Sequence, residues 1–432
     1  MTMENDTAIE KPSAQEQHGT VLSSYSVLCK SMIGSGIFSM AKACSSFGII
    51  PGVIALCFAA GLTFLSLHIL SILALEYRAD SPTFYSVSAK IMPKARWVVD
   101  VALIINCFGA AVAYVITSGT LMSSAIASMA GIGDNEFGLG KQHISMIVQA
   151  VMILALAPLC MLKEITATKI ANLVGLCCLL YIVIVTFFYT DVSNYASDSS
   201  LLYPSSALAA MGSFPTFIFA FACQQNVFPV ANELKQASLK RLDIVSAAAT
   251  ATGFVVYIPM AVIPFLTFGF AVKSNYLYNL DTDGFVDPAI VIAYILASLS
   301  VSISYVLQVQ PVRRSVLSLI YGSKELSDAK ERSVRILLVT AILLTSYGLA
   351  VGIGDDLSIP INVAGLLGGN TMCFTTPFLL YLRRFGFSWR KETDNKIDWF
   401  KIAVLFVLCI CIALYPICLT GIIHQAIQPK SA

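Results

Sequence analysis

Long apolar runs alternate with short polar links along almost the whole chain. A bilayer core of about 30 Å needs about 20 apolar residues per helix. Runs meeting that need lie near 22–46, 49–75, 97–128, 143–163, 167–189, 206–232, 242–270, 287–311, 333–353, 358–382 and 399–424. They are uniformly apolar and lack the alternation of a membrane-barrel strand. The pattern predicts an all-α integral membrane protein with eleven transmembrane helices.

Two runs are interrupted. Span one carries Lys30-Ser31-Met32-Ile33-Gly34-Ser35-Gly36-Ile37-Phe38. Gly-Ser-Gly in mid-span disfavours a helix, and its G-x-G spacing does not lie on one helix face as G-x-x-x-G does. Span six carries Cys223-Gln224-Gln225-Asn226-Val227-Phe228-Pro229. Three consecutive amides at membrane depth imply a cavity lining, and the proline adds a second break. Interrupted segments at corresponding places of two halves mark a transporter site. Spans one and six correspond if 22–189 and 206–382 are two five-helix repeats, with 399–424 as an eleventh helix. Five is odd, so the second repeat is inverted in the membrane.

Each break has a chemical consequence. The half-helix that begins there points its amides into the break and attracts a carboxylate. The carbonyls that end the preceding half-helix suit an ammonium. A zwitterion is the natural ligand, with its carboxylate on Gly34, Ser35 and Gly36 and its α-amine on carbonyls of spans one and six. The expected substrate contacts are Ile33, Gly34, Ser35, Gly36, Tyr114, Phe219, Cys223, Gln224 and Gln225. With no acidic residue near the breaks, neutral amino acids are favoured over cationic ones.

Charge orients the spans. Taking the links after even-numbered spans as cytosolic assigns them twenty-one Lys and Arg, against three on the opposite side. This split predicts a cytosolic N-terminus. Residues 1–21 are polar, read as a disordered cytosolic tail, and lack the apolar core of a cleavable signal peptide. The sequon Asn5-Asp6-Thr7 falls in that tail and is expected to stay unmodified.

Composition agrees. The chain of 432 residues is 57% hydrophobic and 12% charged, about half the charge of an ordinary globular protein. Its net charge of +2 excludes a nucleic-acid binder. The twelve cysteines form no C-x-x-C pair and read as apolar packing residues. His18, His68, His143 and His424 have no metal-site spacing, and neither a Walker motif nor G-x-S-x-G occurs. No cofactor, metal or enzyme activity is expected. The partners are an amino-acid substrate and the bilayer, and a monomer is expected.

Several stretches resemble the amino acid/auxin permease family. They are MIGSGIFSMAKA in span one, NCFGAAVAY in span three, APLCMLKEITATKIANLVGL across spans four and five, FPTFIFAFACQQNVFPVANELK in span six, and SISYVLQVQPVRRSV in span eight. The resemblance implies the leucine-transporter fold and amino-acid transport, within the superfamily of amino acid, polyamine and organocation (APC) carriers. Many relatives have Cys-His where this chain has Cys223-Gln224. The sodium-coupled branch has an asparagine where this chain has Lys30, and the proton-coupled branch tends to carry a lysine there. Ser304 aligns with a threonine that helps to hold sodium. Lys30 lies about 6 Å from Gly34 along the helix, within a hydrocarbon half-thickness of about 15 Å. Its stem reaches roughly 6 Å further, short of the interface. The ammonium is therefore expected to stay in the protein, between spans one and eight near Ser304, where it would stand in for sodium. Lys30 and Ser304 are the expected coupling residues, and a proton is the candidate coupling ion for symport.

Other polar residues carry less. Asn106 and Tyr114 share a face of span three. Ser302, Ser304 and Gln308 in span eight, and Asn370 and Thr371 in span ten, are pathway candidates. His68 reads either as a proton relay or as a hydrogen-bonded core histidine. Glu76 and Asp100 read as interfacial, and Glu233 as a gate or ion-pair residue. The function expected is secondary amino-acid transport in a plasma or vacuolar/lysosomal membrane, with a transporter-like amino-acid sensor or a carrier of cationic amino acids as the alternatives.

Overall fold

The computed structural model describes residues 19–80, 82–130, 141–161, 168–192, 199–204, 206–280, 287–321, 327–387 and 397–427. The tail residues before Gly19, including Asn5 and His18, lie outside the described residues. Within these ranges the chain is helical, apart from short links and an isolated bridge between Gly19 and Leu234.

Span one is two helices, α1 (Val21–Met32) and α2 (Gly36–Phe47), bent by 54° at the intervening break. Thr20 starts α1 with a capping box: the Ser23 amide donates to Thr20 Oγ1 and the Thr20 amide to Ser23 Oγ, which satisfies two otherwise orphaned donors. Span two is α3 (Ile49–Glu76), followed by a short surface helix, α4 (Phe84–Ile91). Spans three to five are α5 (Arg96–Met129), α6 (Lys141–Met161) and α7 (Thr168–Tyr189). Span six is again divided, into α8 (Ala207–Ala220) and α9 (Val227–Glu233). Then come α10 (Leu239–Phe268), α11 (Pro288–Tyr321) and α12 (Asp328–Ile353). Span ten starts as α13 (Ser358–Val363), continues as a π-helical segment over Ala364–Thr375 and ends as α14 (Thr376–Phe385). The last helix is α15 (Trp399–Ile427).

Nine helices among the described residues are long and apolar enough to cross a bilayer, and the bent pair makes ten. The remaining expected span coincides with α7, whose described apolar part, Val174–Tyr189, is shorter than the others.

Uniform apolarity hides which helices are central, because lipid and protein interior attract the same side chains. Packing separates them. The apolar window of span six is 78% buried, whereas that of α6 is 22% buried. α6, α12 and α15 expose Leu154, Leu337 and Phe406. α5 and α11 are the long central pair, joined by Ser118 with Ser298 and Ser302 at 3.0 and 2.9 Å. α15 meets α8 backbone to backbone: a methyl on Gly212 would lie 2.6 Å from the Gly421 carbonyl carbon. Small residues permit this approach, so the eleventh helix directly supports the broken span.

The helix ends gather on two faces. On one, the Gly19 amide donates to the Glu233 carbonyl and Lys235 to that of Gly19, each at 3.0 Å. Arg78 reaches the Leu234 and Ala237 carbonyls. Arg384 pairs with Glu76, and Ser318 donates to Asp100. On the other face, Ser39 donates to the Ser274 carbonyl at 2.9 Å, and Ser274 Oγ joins Asp355 to the Leu357 amide.

Candidate functional site

The break in α1–α2 leaves backbone groups exposed to the interior. Ile33 closes α1 by donating to Cys29, and Gly34 donates back to Met32 at 3.0 Å. α2 resumes with Ile37 donating to Gly34 and Phe38 to Ser35. Between these turns the Ser35 and Gly36 amides take no part in the backbone ladder. The α8–α9 break is closed differently. Ala222 donates to Phe219 and Asn226 to Cys223. Gln224 curls back so that its Oε1 accepts the Cys223 amide at 2.8 Å.

The two breaks are joined. Asn226 Nδ2 donates to Ser31 Oγ at 2.7 Å, and Gln225 Nε2 to the same oxygen at 3.4 Å. From α10, the Tyr257 hydroxyl lies 2.6 Å from the Met32 carbonyl oxygen and 2.8 Å from that of Ala220. These are the last residues of α1 and α8.

A small cavity opens between the breaks, α5 and α11. Ser31, Met32, Gly34 and Gly36 line it from span one, and Phe219, Ala222 and Gln225 from span six. Asn106, Ala110 and Tyr114 close it from α5, and Gln308 from α11. The Tyr114 hydroxyl faces the Ser35 backbone and the Gln308 side chain. A methyl on Gly34 would sit 2.8 Å from that hydroxyl.

The wall is polar but uncharged. Ser35 Oγ, Asn106 Oδ1, Gln224 Nε2 and Gln225 Oε1 are buried without a hydrogen-bond partner among the described residues. Such groups carry a desolvation cost of about 1–3 kcal/mol each, and two of them, Asn106 and Gln225, line the cavity, which fits a polar ligand. Among the described residues, no Asp, Glu, Lys or Arg lines the cavity. Among the described residues no group of three or more His, Cys, Asp or Glu is placed to hold a metal.

The expected site residues divide into two sets. Gly34, Gly36, Tyr114, Phe219 and Gln225 line the cavity. Ile33, Ser35, Cys223 and Gln224 are buried behind it. Lys30 is 9% exposed and lies against α7 and α11. A methyl on Gly175 would be 2.9 Å from Lys30 Nζ and 3.3 Å from Ser300 Oγ. Ser304 is one turn further along α11 and donates to the Ser300 carbonyl at 2.9 Å. Lys30 thus packs beside Gly175 of α7 and Ser300 of α11.

Ser31, Ala110, Ala222 and Tyr257 escape a sequence reading. Ser31 resembles any back-bonding helix serine. Tyr257 offers one signal: a phenol in mid-membrane must find an acceptor. Among the remaining candidates, His68 Nδ1 is 2.8 Å from Asp243 Oδ1 and the imidazole packs edge-on against Phe400. Asn370 donates to the Cys411 carbonyl, and Thr371 meets the Tyr415 hydroxyl. These two support α15 rather than the cavity.

Residues 17–423 match the family described as transmembrane amino acid transporter protein. Vacuolar amino acid transporter 5 of Schizosaccharomyces pombe is 28% identical over 360 residues, covering 82% of each chain. Sodium-coupled neutral amino acid transporter 7 of Homo sapiens is 27% identical, over 82% of this chain and 76% of its own length. Among solved structures, MhsT in complex with L-phenylalanine superposes with a TM-score of 0.62 at 13% identity, over 94% of this chain and all of that one. That likeness is one of fold.

Proposed function

Because this chain belongs to the transmembrane amino acid transporter protein family, we propose that it is a secondary active carrier of neutral amino acids that works by alternating access. It is a multi-pass membrane protein of a transporter family and not an enzyme. The observation that carries the finer reading is the uncharged polar cavity between the two breaks. The Ser35 and Gly36 amides offer a carboxylate site, and the carbonyl ends of α1 and α8 offer an ammonium site. A zwitterion satisfies both. The absence of charge from the lining supports a neutral side chain.

The cycle would expose this cavity to each face in turn. Its residues sit on helices whose ends are tied by separate sets of contacts on the two faces, so one set can open while the other holds. The reading includes a cytosolic N-terminus, two inverted five-helix repeats over 22–189 and 206–382, and an eleventh helix over 399–424. The charge asymmetry of the links and the breaks in spans one and six support it.

Transport is sodium-independent and proton-coupled in this reading. A fixed positive charge at Lys30 would repel a sodium ion, and a lysine amine can load and release a proton. Some relatives are named as sodium-coupled, so the point discriminates within the family. Ile33, Cys223 and Gln224 hold the two breaks in shape, while Gly34, Gly36, Tyr114, Phe219 and Gln225 meet the substrate and Ser35 offers it a backbone amide. The test is uptake by the purified protein in proteoliposomes across an amino-acid panel, with sodium and pH gradients varied independently. Uptake of neutral amino acids that a pH gradient drives without sodium is the expected result. Binding without flux would make the chain a sensor, and preferred uptake of lysine or arginine would overturn the neutral class.

A further inference from the structure

We propose that Tyr257 is a positioning residue of the substrate site, its hydroxyl acting as a strut between the carbonyl ends of the two broken spans. The residue is fully buried in α10 and contributes nothing to the cavity lining. Its oxygen nevertheless lies 2.6 Å from the carbonyl oxygen of Met32 and 2.8 Å from that of Ala220.

Donor arithmetic makes this arrangement specific. A phenol has one proton, so it satisfies one of the two carbonyls at a time. The Met32 carbonyl already accepts the Gly34 amide at 3.0 Å. No other donor to the Ala220 carbonyl occurs among the described residues. Both oxygens end a half-helix, and both carry its negative partial charge. Two such ends repel each other, and a shared hydroxyl offsets that repulsion and fixes their separation.

The surrounding packing holds the strut in place. One turn earlier on α10, Gly253 lies against Met32, and a methyl there would be 2.5 Å from its Sδ. The Tyr257 ring meets Phe221 edge-on at 5.1 Å. α10 thus receives the end of α1 on a bare glycine and the end of α8 on an aromatic ring. The carbonyls that Tyr257 spaces are the groups that the proposed function assigns to the α-ammonium, so the inference rests on that reading. An ammonium brings three N–H donors to carbonyls that otherwise have only the hydroxyl proton and the Gly34 amide between them. Its arrival shifts the hydroxyl proton, and Tyr257 senses the substrate without touching the rest of it.

The test uses the full chain, as wild type, as Tyr257→Phe, and with 3-fluorotyrosine at 257. Phenylalanine keeps the ring packing and loses the donor. KM for the preferred amino acid is expected to rise up to about tenfold, the upper end of what one lost neutral hydrogen bond is worth, with kcat within about twofold. Discrimination against α-N-methyl analogues should collapse, while that against carboxamide analogues stays. A structural role alone would not separate the two ends of the substrate. In the fluorotyrosine protein, which keeps the hydroxyl and the fold, the ¹⁹F resonance is expected to move on saturation with substrate. The proposal is overturned by a folded Tyr257→Phe protein with wild-type KM and wild-type N-methyl discrimination. If that variant does not fold, an unmoved ¹⁹F resonance overturns it. Failure of the wild type to take up or bind any amino acid would instead remove the proposed function itself.

Discussion

Lys30 folds its ammonium against the bare Cα of Gly175, so that a methyl there would stand 2.7 Å from Lys30 Cε and 2.9 Å from Nζ. The lysine owes its place to a missing side chain on a helix far along the sequence. Gly175→Ala is therefore expected to displace the ammonium. Wild-type uptake is expected to be unchanged when choline replaces sodium, and to be stimulated by acid on the entry side. Lys30→Gln should abolish the stimulation, and Gly175→Ala should weaken it. Uptake that collapses in choline would refute sodium independence, and a pH response that survives Lys30→Gln would make the lysine purely structural.

Gly34 and Tyr114 meet as closely. Gly34→Ala places a methyl 2.8 Å from the tyrosine oxygen, and transport should be lost while surface expression persists. Tyr114→Phe alone should reduce transport. Combined with Gly34→Ala it relieves the clash, because the next ring atom is 3.8 Å away. The double variant is expected to exceed Gly34→Ala, a non-additivity that direct contact requires. Uptake by the double variant at or below that of Gly34→Ala would disprove the contact.

The neighbouring glutamines should separate by phenotype. Gln225 lines the cavity, so Gln225→Ala is expected to change the rank order of competing amino acids. Gln224 caps its own broken turn. Gln224→Ala should keep the rank order and lower stability by about 1–2 kcal/mol, the cost of an unsatisfied buried amide, read as a lower Tm in detergent. Exchanged phenotypes would reverse the assignment.

The bridge between Gly19 and Glu233 should govern access from its face. Gly19→Pro removes the amide donor. An introduced Ser31→Cys, in a chain with its exposed native cysteines replaced, should then react faster with an impermeant thiol reagent applied on that face. An unchanged rate would show that this bridge does not hold the face closed.

Much of this architecture can be read from sequence because bilayer thickness and helix-breaking residues leave direct marks. The apolar lengths locate the spans, Gly34-Ser35-Gly36 marks the first break, and Gln224-Gln225-Asn226 the second. Other features leave none. Once the helix is broken its periodicity no longer predicts orientation, so nothing in the sequence says that Gln225 and not Gln224 faces the cavity. Tyr257 meets Met32 across 225 positions, and no local pattern encodes that pairing. The setting of Lys30 depends on Gly175, one small residue in an apolar helix. The π-helical segment of span ten is equally silent, since its glycines read as packing residues.

That segment carries a consequence of its own. In an α-helix each residue advances the chain by about 100°, and a π-turn accommodates a surplus residue without passing that rotation on. Residues 364–375 therefore absorb an angular phase error between the cavity end of span ten and its far end. Deleting one residue there, such as the half-exposed Leu367, would let the turn relax to α-helical winding. Everything beyond it would keep its facing, because the turn had been holding the surplus residue out of the helical phase. Arg384, 2.5 Å from Glu76, would keep its partner, although the chain between them had been shortened. Span ten thus tolerates in this segment the loss of a residue that, in an α-helical stretch, would turn its far end by about 100°.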